Sequence, residues 1–137
     1  MKKTLTLFVF AVLAATITGC QKDPAGGGET AKCSYTIKMT MTNVSTTSTV
    51  HYDLMAFEYN DVGEKTGNHS ITMATTGKSE TYTANERSMK VKLYFKMYTD
   101  KSSYTEYKWV QQVFYLEKGR TIEVALADNS LVGNKEP

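Results

Sequence analysis

The chain has 137 residues, and 16 Lys and Arg residues against 14 Asp and Glu residues give it a formal net charge of +2. Lys2 and Lys3 lie in an N-terminal stretch that we expect to be removed, which leaves 14 basic and 14 acidic residues. A neutral chain gives no electrostatic reason to expect binding to nucleic acid or to anionic lipid. The remaining length suits a single domain.

The first nineteen residues have the parts of an export signal. Two lysines follow Met1, an uncharged and largely apolar stretch covers residues 4–18, and Gly19 precedes Cys20. The apolar stretch is too short to cross a bilayer comfortably, since a spanning helix needs about 20 apolar residues. We therefore predict a cleaved signal peptide over residues 1–19.

The end of this signal, Ile17-Thr18-Gly19-Cys20, resembles the bacterial lipobox, in which an aliphatic residue and two small residues precede an acylated cysteine. The resemblance implies that Cys20 becomes the first residue of a lipoprotein, carries three fatty chains and can be labelled with palmitate. Stable anchoring needs more than one chain, and each buried CH₂ contributes about 0.8 kcal/mol. A plain signal peptide with an incidental cysteine is the alternative.

Cys33 is the other cysteine of the sequence. An acylated Cys20 is an anchor and not a disulfide partner, so we expect Cys33 to be a small, half-buried residue at the start of a strand. A reactive thiol or an intermolecular cross-link is the alternative.

The mature chain divides into three parts. Residues 20–32 comprise the lipidated cysteine and a flexible tether with three consecutive glycines, whose typical reach is about 20 Å. Residues 33–127 form the predicted β domain. Residues 128–137 are polar and end in proline, which predicts a frayed C-terminal tail.

Alternation of apolar and polar residues dominates residues 33–127. It is regular in three segments, which place on one face Tyr35, Ile37, Met39 and Met41; Met89, Val91, Leu93, Phe95 and Met97; and Ile122, Val124 and Leu126. This period of two predicts β-strands. Residues 50–59 change parity midway, which predicts a bulge near Met55-Ala56. Residues 104–116 are apolar on both faces, and residues 70–74 and 79–83 are shorter candidates.

These segments give about seven strands separated by turn residues, without a helical stripe after the signal. We predict an all-β fold, an antiparallel sandwich of immunoglobulin-like type, with a small closed barrel as the alternative. The Cys–Trp–Cys spacing of antibody domains is missing.

Catalytic and metal-binding patterns are missing from the sequence. Neither His51 nor His69 has a cysteine or histidine at ligand spacing, and no Gly-x-Ser-x-Gly motif occurs. We expect no metal, no cofactor beyond the covalent lipid, and no enzymatic activity.

Aromatic residues are the one feature above background. Tyr94 and Tyr98 lie opposite the core parity of their strand, and the next strand carries Tyr107 and Trp109. If the two strands pair through the polar segment 100–103, one sheet face carries these rings beside lysines, an arrangement that suits sugar or peptide ligands. The alternatives are that lysine stems simply cover the rings, or that Trp109 belongs to the core.

The lipobox, the Gly-rich tether and the predicted sandwich together resemble the small cell-envelope lipoproteins of Bacteroidetes. The resemblance implies attachment to the outer membrane. Lys22-Asp23 match only a fragment of the acidic signal associated with surface export in that group. We expect a non-catalytic binding or adhesion module for a glycan or protein, or alternatively a structural accessory subunit of an outer-membrane assembly.

Overall fold

The computed structural model describes residues 31–42, 50–99 and 105–137. The predicted signal peptide, Cys20, most of the tether and the turn at 100–103 lie outside these residues. The described ranges hold no helix long and apolar enough to span a membrane.

The described residues form eight strands in two sheets. The strands are β1 (Ser34–Met39), β2 (Val50–Tyr59), β3 (Lys65–Ala74), β4 (Ser79–Thr83), β5 (Lys90–Thr99), β6 (Thr105–Tyr115), β7 (Thr121–Leu126) and β8 (Val132–Gly133). One sheet has the order β4-β1-β7, and the other has the order β3-β2-β5-β6-β8. The predicted all-β sandwich is confirmed.

The core lies between the sheets and consists of the predicted inward residues. Tyr35, Ile37 and Met39 of β1 are buried against the other sheet, in one cluster with Val91 and Leu93 of β5. Burial of each such side chain contributes about 1.5–3 kcal/mol. Every second residue of both strands therefore points inward, and the intervening residues form the outer faces.

One strand pair differs from the antiparallel arrangement we expected. β1 and β7 run parallel, with Ser34 opposite Thr121 and Met39 opposite Leu126. β4 pairs antiparallel with the other edge of β1. The first strand of the domain is thus the middle strand of its sheet.

The bulge predicted near Met55-Ala56 is wrong. β2 pairs with β5 in unbroken register from Val50 opposite Thr99 to Tyr59 opposite Lys90. The apolar residues change parity for another reason. The inward position after Ala56 is occupied by the charged residue Glu58, and the outward positions on either side of it are occupied by Phe57 and Tyr59.

Glu58 is a buried carboxylate, only 1% exposed. Its Oε1 accepts a hydrogen bond from the Tyr35 hydroxyl at 2.9 Å. Its Oε2 accepts hydrogen bonds from the Asn85 backbone N–H at 2.8 Å and from the Ser88 hydroxyl at 2.6 Å. Nε2 of His69 lies 3.7 Å from Oε1. Because desolvating a carboxylate is costly, these donors are what make the buried position tolerable.

The donors around Glu58 come from different parts of the chain. Tyr35 belongs to β1 in the opposite sheet, and the other two donors follow β4, so the carboxylate joins the two layers. Burial, together with the charge and hydrogen bond of Glu58, raises the pKa of Tyr35, which keeps its hydroxyl protonated as a donor. Gly67 of β3 lies so close that an added Cβ would be 3.1 Å from Oε2 of Glu58.

Strand β3 is longer than the predicted segment 70–74. Its first half, which includes Gly67 and Asn68, is poor in strand-favouring residues, but it pairs with β2 up to Lys65 opposite Tyr59. The register of this pair shifts near Met73, a non-glycine residue with a φ of 48°. The Asp53 carboxylate accepts the Met73 backbone N–H at 2.9 Å and so satisfies it.

The expectation of a frayed tail at 128–137 is wrong. Residues 132–133 form β8 against β6, and the Gln111 N–H donates to the Leu131 carbonyl at 2.7 Å. The Gln111 side chain also donates to the Lys135 carbonyl at 2.8 Å. This segment docks through backbone hydrogen bonds that its polar composition does not reveal.

The expectation for Cys33 also needs correction. Cys33 is fully buried rather than half-buried, and it is disulfide-bonded in the structure. Cys20 is the other cysteine of the sequence and lies outside the described residues. One sulfur cannot carry both a lipid thioether and a disulfide. If Cys20 formed a disulfide, it could not carry the predicted lipid.

The Tyr35–Glu58 hydrogen bond can be tested by a single-atom change. Tyr35→Phe removes one donor from the buried carboxylate, and we expect the free energy of unfolding to fall by about 1–3 kcal/mol. Tyr115→Phe is the matched control because Tyr115 is 55% exposed; we expect it to change stability by less than about 0.5 kcal/mol. Urea unfolding of both variants measures the difference. Equal stability of the two variants would show that the hydrogen bond contributes nothing.

Candidate functional site

The outer face of the five-stranded sheet carries the predicted aromatic residues. β5 and β6 pair as expected, which places Tyr94 opposite Trp109 and Lys96 opposite Tyr107. Met55 of β2 lies opposite Tyr94 on the other side of β5. Trp109 is half-buried on this outer face and is not part of the buried core cluster.

Three of the four predicted rings form one cluster, which we call the aromatic platform: Tyr94, Tyr107 and Trp109. The centroids of Tyr94 and Trp109 are 4.8 Å apart, and those of Tyr94 and Tyr107 are 5.9 Å apart with an interplanar angle of 16°. These separations are typical of favourable aromatic pairs. Tyr107 is 49% exposed, so the platform opens to solvent.

Phe57 borders the platform and was missed by the sequence analysis. Its ring centroid lies 5.6 Å from that of Trp109 and 6.4 Å from that of Tyr94. The signal was present in the sequence, since Phe57 has outward parity once β2 is read without a bulge. The mistaken bulge assigned it to the interior.

Tyr98 does not join the platform. It lies two strand positions beyond Lys96, whose Nζ is 4.7 Å from the Tyr98 ring centroid. The ring of His51 is 5.4 Å away, and the Tyr98 hydroxyl donates to the Asp53 carboxylate at 3.2 Å. The structure thus separates Tyr98 from the other predicted site residues.

Lysines cover some rings of this face and leave the platform open. Lysine ammonium groups lie over three rings: Lys65 over Phe57 at 3.9 Å, Lys92 over Tyr59 at 4.7 Å, and Lys96 over Tyr98. Such contacts stabilise an exposed face by roughly 0.5–1 kcal/mol each. Among the described residues no cation lies over the three platform rings. Lysines therefore cover rings at the border of the platform, as the alternative predicted, but not the three rings at its centre.

The C-terminal tail bounds the platform. Trp109 lies opposite Gly133 of β8, and Glu136 forms an ion pair with Lys92 at 2.9 Å. The hydrogen bond from Lys92, a further hydrogen bond from Tyr59 and the nearby charge of Lys65 hold the pKa of Glu136 below its usual value. The tail therefore reaches from the edge strand to residues of β5 and β2 on this face.

A second cluster lies between the edges of β3 and β4. His69 and Tyr82 stack with centroids 4.2 Å apart, beside an open cleft of about 340 Å³ that Asn68 also lines. Burial and a hydrogen bond to Glu80 raise the pKa of Tyr82 to about 12. The carboxylate behind His69 is Glu58, whose oxygens already accept three hydrogen bonds and are poorly placed to take a proton from a substrate.

An apolar cavity of about 230 Å³ opens at the end of the sandwich. Its lining includes Phe95, Met97 and Leu126, and a Lys108–Glu106 ion pair of 2.9 Å lies beside it. Within the described part of the chain, no cluster of three or more His, Cys, Asp or Glu residues could hold a metal ion. Of these sites, the aromatic platform is the one whose side chains are best arranged to contact a ligand.

No protein-family model, curated protein or solved structure matches the chain.

Acidification should weaken the docking of the last residues of the C-terminal tail. Because the folded-state pKa of Glu136 lies below its usual 4.5, its ion pair stabilises the docked tail fully above that value, and this contribution is lost as pH falls through the lowered pKa. We expect the amide signal of Gly133 to shift in an acid titration followed by NMR.

Glu136→Gln should give the acid-shifted Gly133 signal already at neutral pH. Glu117→Gln is the control, because Glu117 is half-exposed and forms its ion pair with nearby Arg120, away from the tail. An unshifted Gly133 signal in Glu136→Gln would contradict this assignment.

Proposed function

We propose that this protein is a lipoprotein of the bacterial cell envelope that acts as a non-catalytic binding or adhesion module, with the aromatic platform as its ligand site. The observation that carries the proposal is the open cluster of Tyr94, Tyr107 and Trp109 on the outer face. A glycan is the ligand that suits it best. Flat rings with polar edges can stack on the apolar face of a sugar while their hydroxyl and indole groups donate hydrogen bonds.

The rigidity of the platform supports a binding role. All three rings stand on paired strands, and Phe57 beside them is adjacent in sequence to the buried carboxylate of Glu58. A site on paired strands loses little conformational entropy when a ligand binds. Affinity then depends on the contacts rather than on ordering of the protein.

The membrane attachment rests on the sequence, and it requires that Cys20 is lipidated and not paired with Cys33. The lipobox-like segment before Cys20 and the flexible tether up to residue 32 would hold the domain about 20 Å from the lipid head groups. Outer-membrane anchoring follows from the resemblance to Bacteroidetes lipoproteins. A tethered domain of this kind can bring its outer face to a ligand in the envelope without contacting the bilayer.

A structural accessory subunit is the second candidate. β7 and β3 are edge strands with one neighbour each among the described strands. An edge strand offers backbone N–H and C=O groups to which another chain can add a strand. Such docking would use the edges rather than the platform.

The lipid can be tested by intact mass. In a bacterium that processes lipoproteins, the chain should lose residues 1–19 and gain the mass of three acyl chains on Cys20. Cys20→Ser should remove palmitate labelling and move the protein from the membrane fraction to the soluble one. A mature protein that instead keeps an intramolecular disulfide between Cys20 and Cys33, without lipid, would refute the anchor.

The platform can be tested by truncating its rings. Trp109→Ala and Tyr94→Ala should each lower affinity for a bound glycan by about tenfold or more, as for buried aromatic anchors at other interfaces. Tyr115→Ala is the matched control, since Tyr115 is an exposed ring on the same strand but outside the platform. Glycan arrays followed by calorimetry measure the effect.

Two results would count against the platform as the glycan site. Unchanged glycan affinity of Trp109→Ala would show that the rings are not the binding surface. Loss of a co-purifying envelope protein without any glycan binding would favour the accessory-subunit role.

A further inference from the structure

We propose that the platform selects acidic glycans, in which sugar rings stack on the aromatic residues while carboxylate or sulfate groups contact Lys65 and Lys96. This inference rests on the proposed glycan-binding function and specifies its ligand. It is carried by the position of the two lysines and by the acidic residues that are already engaged elsewhere on the face.

The sheet register places positive charge on both sides of the platform. Lys96 is directly opposite Tyr107 and is two positions from Tyr94 along β5, a spacing of about 7 Å. Lys65 lies on the other side, with Nζ over the ring of Phe57, which borders Trp109. An extended ligand stacked on the rings would thus meet an ammonium group at either end.

Among the described residues, neither of these two lysines forms a direct ion pair with an acidic group of this face. Glu136 forms its ion pair with Lys92, and Lys65 acts on it only as a nearby charge. Asp53, which is opposite Lys96 in the register, accepts hydrogen bonds from the Met73 backbone and the Tyr98 hydroxyl. Within the described residues no carboxylate oxygen lies within 4.0 Å of Nζ of either Lys65 or Lys96.

The combination of rings and ammonium groups favours a charged sugar over other ligands. A neutral sugar would use the rings and leave both ammonium groups without an anionic partner. A polyanion without apolar faces would use the lysines and ignore the rings. An acidic polysaccharide satisfies both, and its repeated charges match two lysines on opposite sides of the platform.

The test compares acidic polysaccharides with neutral counterparts of the same backbone. Polygalacturonate, alginate and hyaluronate are each measured beside their carboxyl-reduced forms, by calorimetry with the full mature chain. We expect binding of at least one acidic polymer and at least tenfold weaker binding of its reduced form. Affinity should fall as ionic strength rises, because salt screens exposed charges.

Charge variants locate the effect on the protein. Lys65→Gln and Lys96→Gln keep much of the side-chain stem and should each weaken acidic-polymer binding about threefold, and about tenfold together. Lys78→Gln is the control, since it removes the same charge from the exposed turn between β3 and β4. Circular dichroism and urea unfolding confirm that each variant is folded.

The possible outcomes separate the inference from the proposed function. If reduced and acidic polymers bind equally and Trp109→Ala weakens both, the glycan platform stands and charge selection is wrong. If acidic polymers bind but Trp109→Ala has no effect, the lysines act as a general polyanion surface and the inference is overturned. If no polymer binds, the inference and the glycan-binding function both fail, and protein docking takes their place.

Discussion

The buried carboxylate of Glu58 is the constraint on which the arrangement of this sandwich depends. Its three hydrogen-bond donors come from the opposite sheet and from the chain segment after β4, so the two layers are fixed relative to each other at this point. Because side chains alternate along a strand, an inward Glu58 places Phe57 and Tyr59 on the outer face. A polar group in the core thereby helps determine which aromatic residues border the platform.

The platform also depends on irregular features of β6 and the tail. Between the pairs Lys92–Val113 and Tyr94–Trp109 the register shifts, so that residues 110–112 lie opposite a single residue of β5. The two extra residues are an even number, so Trp109 and Val113 stay on the outer face while Val110 still points into the core. The tail then anchors through Glu136 on Lys92, which leaves the other lysines of the face available.

Much of the fold could be predicted from the sequence because alternation is a strong local signal. The regular patterns around Tyr35 and Leu93 predicted both strands and their inward faces. The same reasoning failed at residues 50–59 because it assumes that charged residues face outward, whereas Glu58 is buried. The docked tail and the first half of β3 are held by pairing with strands that are distant in sequence. Such pairing cannot be predicted from local composition. Phe57 and Lys65 were missed as site residues for these same two reasons.

The central place of β1 has a mechanical consequence. With the proposed lipid anchor, tension on the N-terminus would enter the domain at Ser34, in a strand flanked on both sides by backbone hydrogen bonds to β4 and β7. Pulling along β1 loads these rows in shear, so many bonds must yield together rather than one after another. Resistance to such pulling is set by the rate of forced unfolding and not by equilibrium stability alone. With the lipid anchor proposed above, the domain would be joined to the membrane through a strand that has hydrogen-bonded neighbours on both sides.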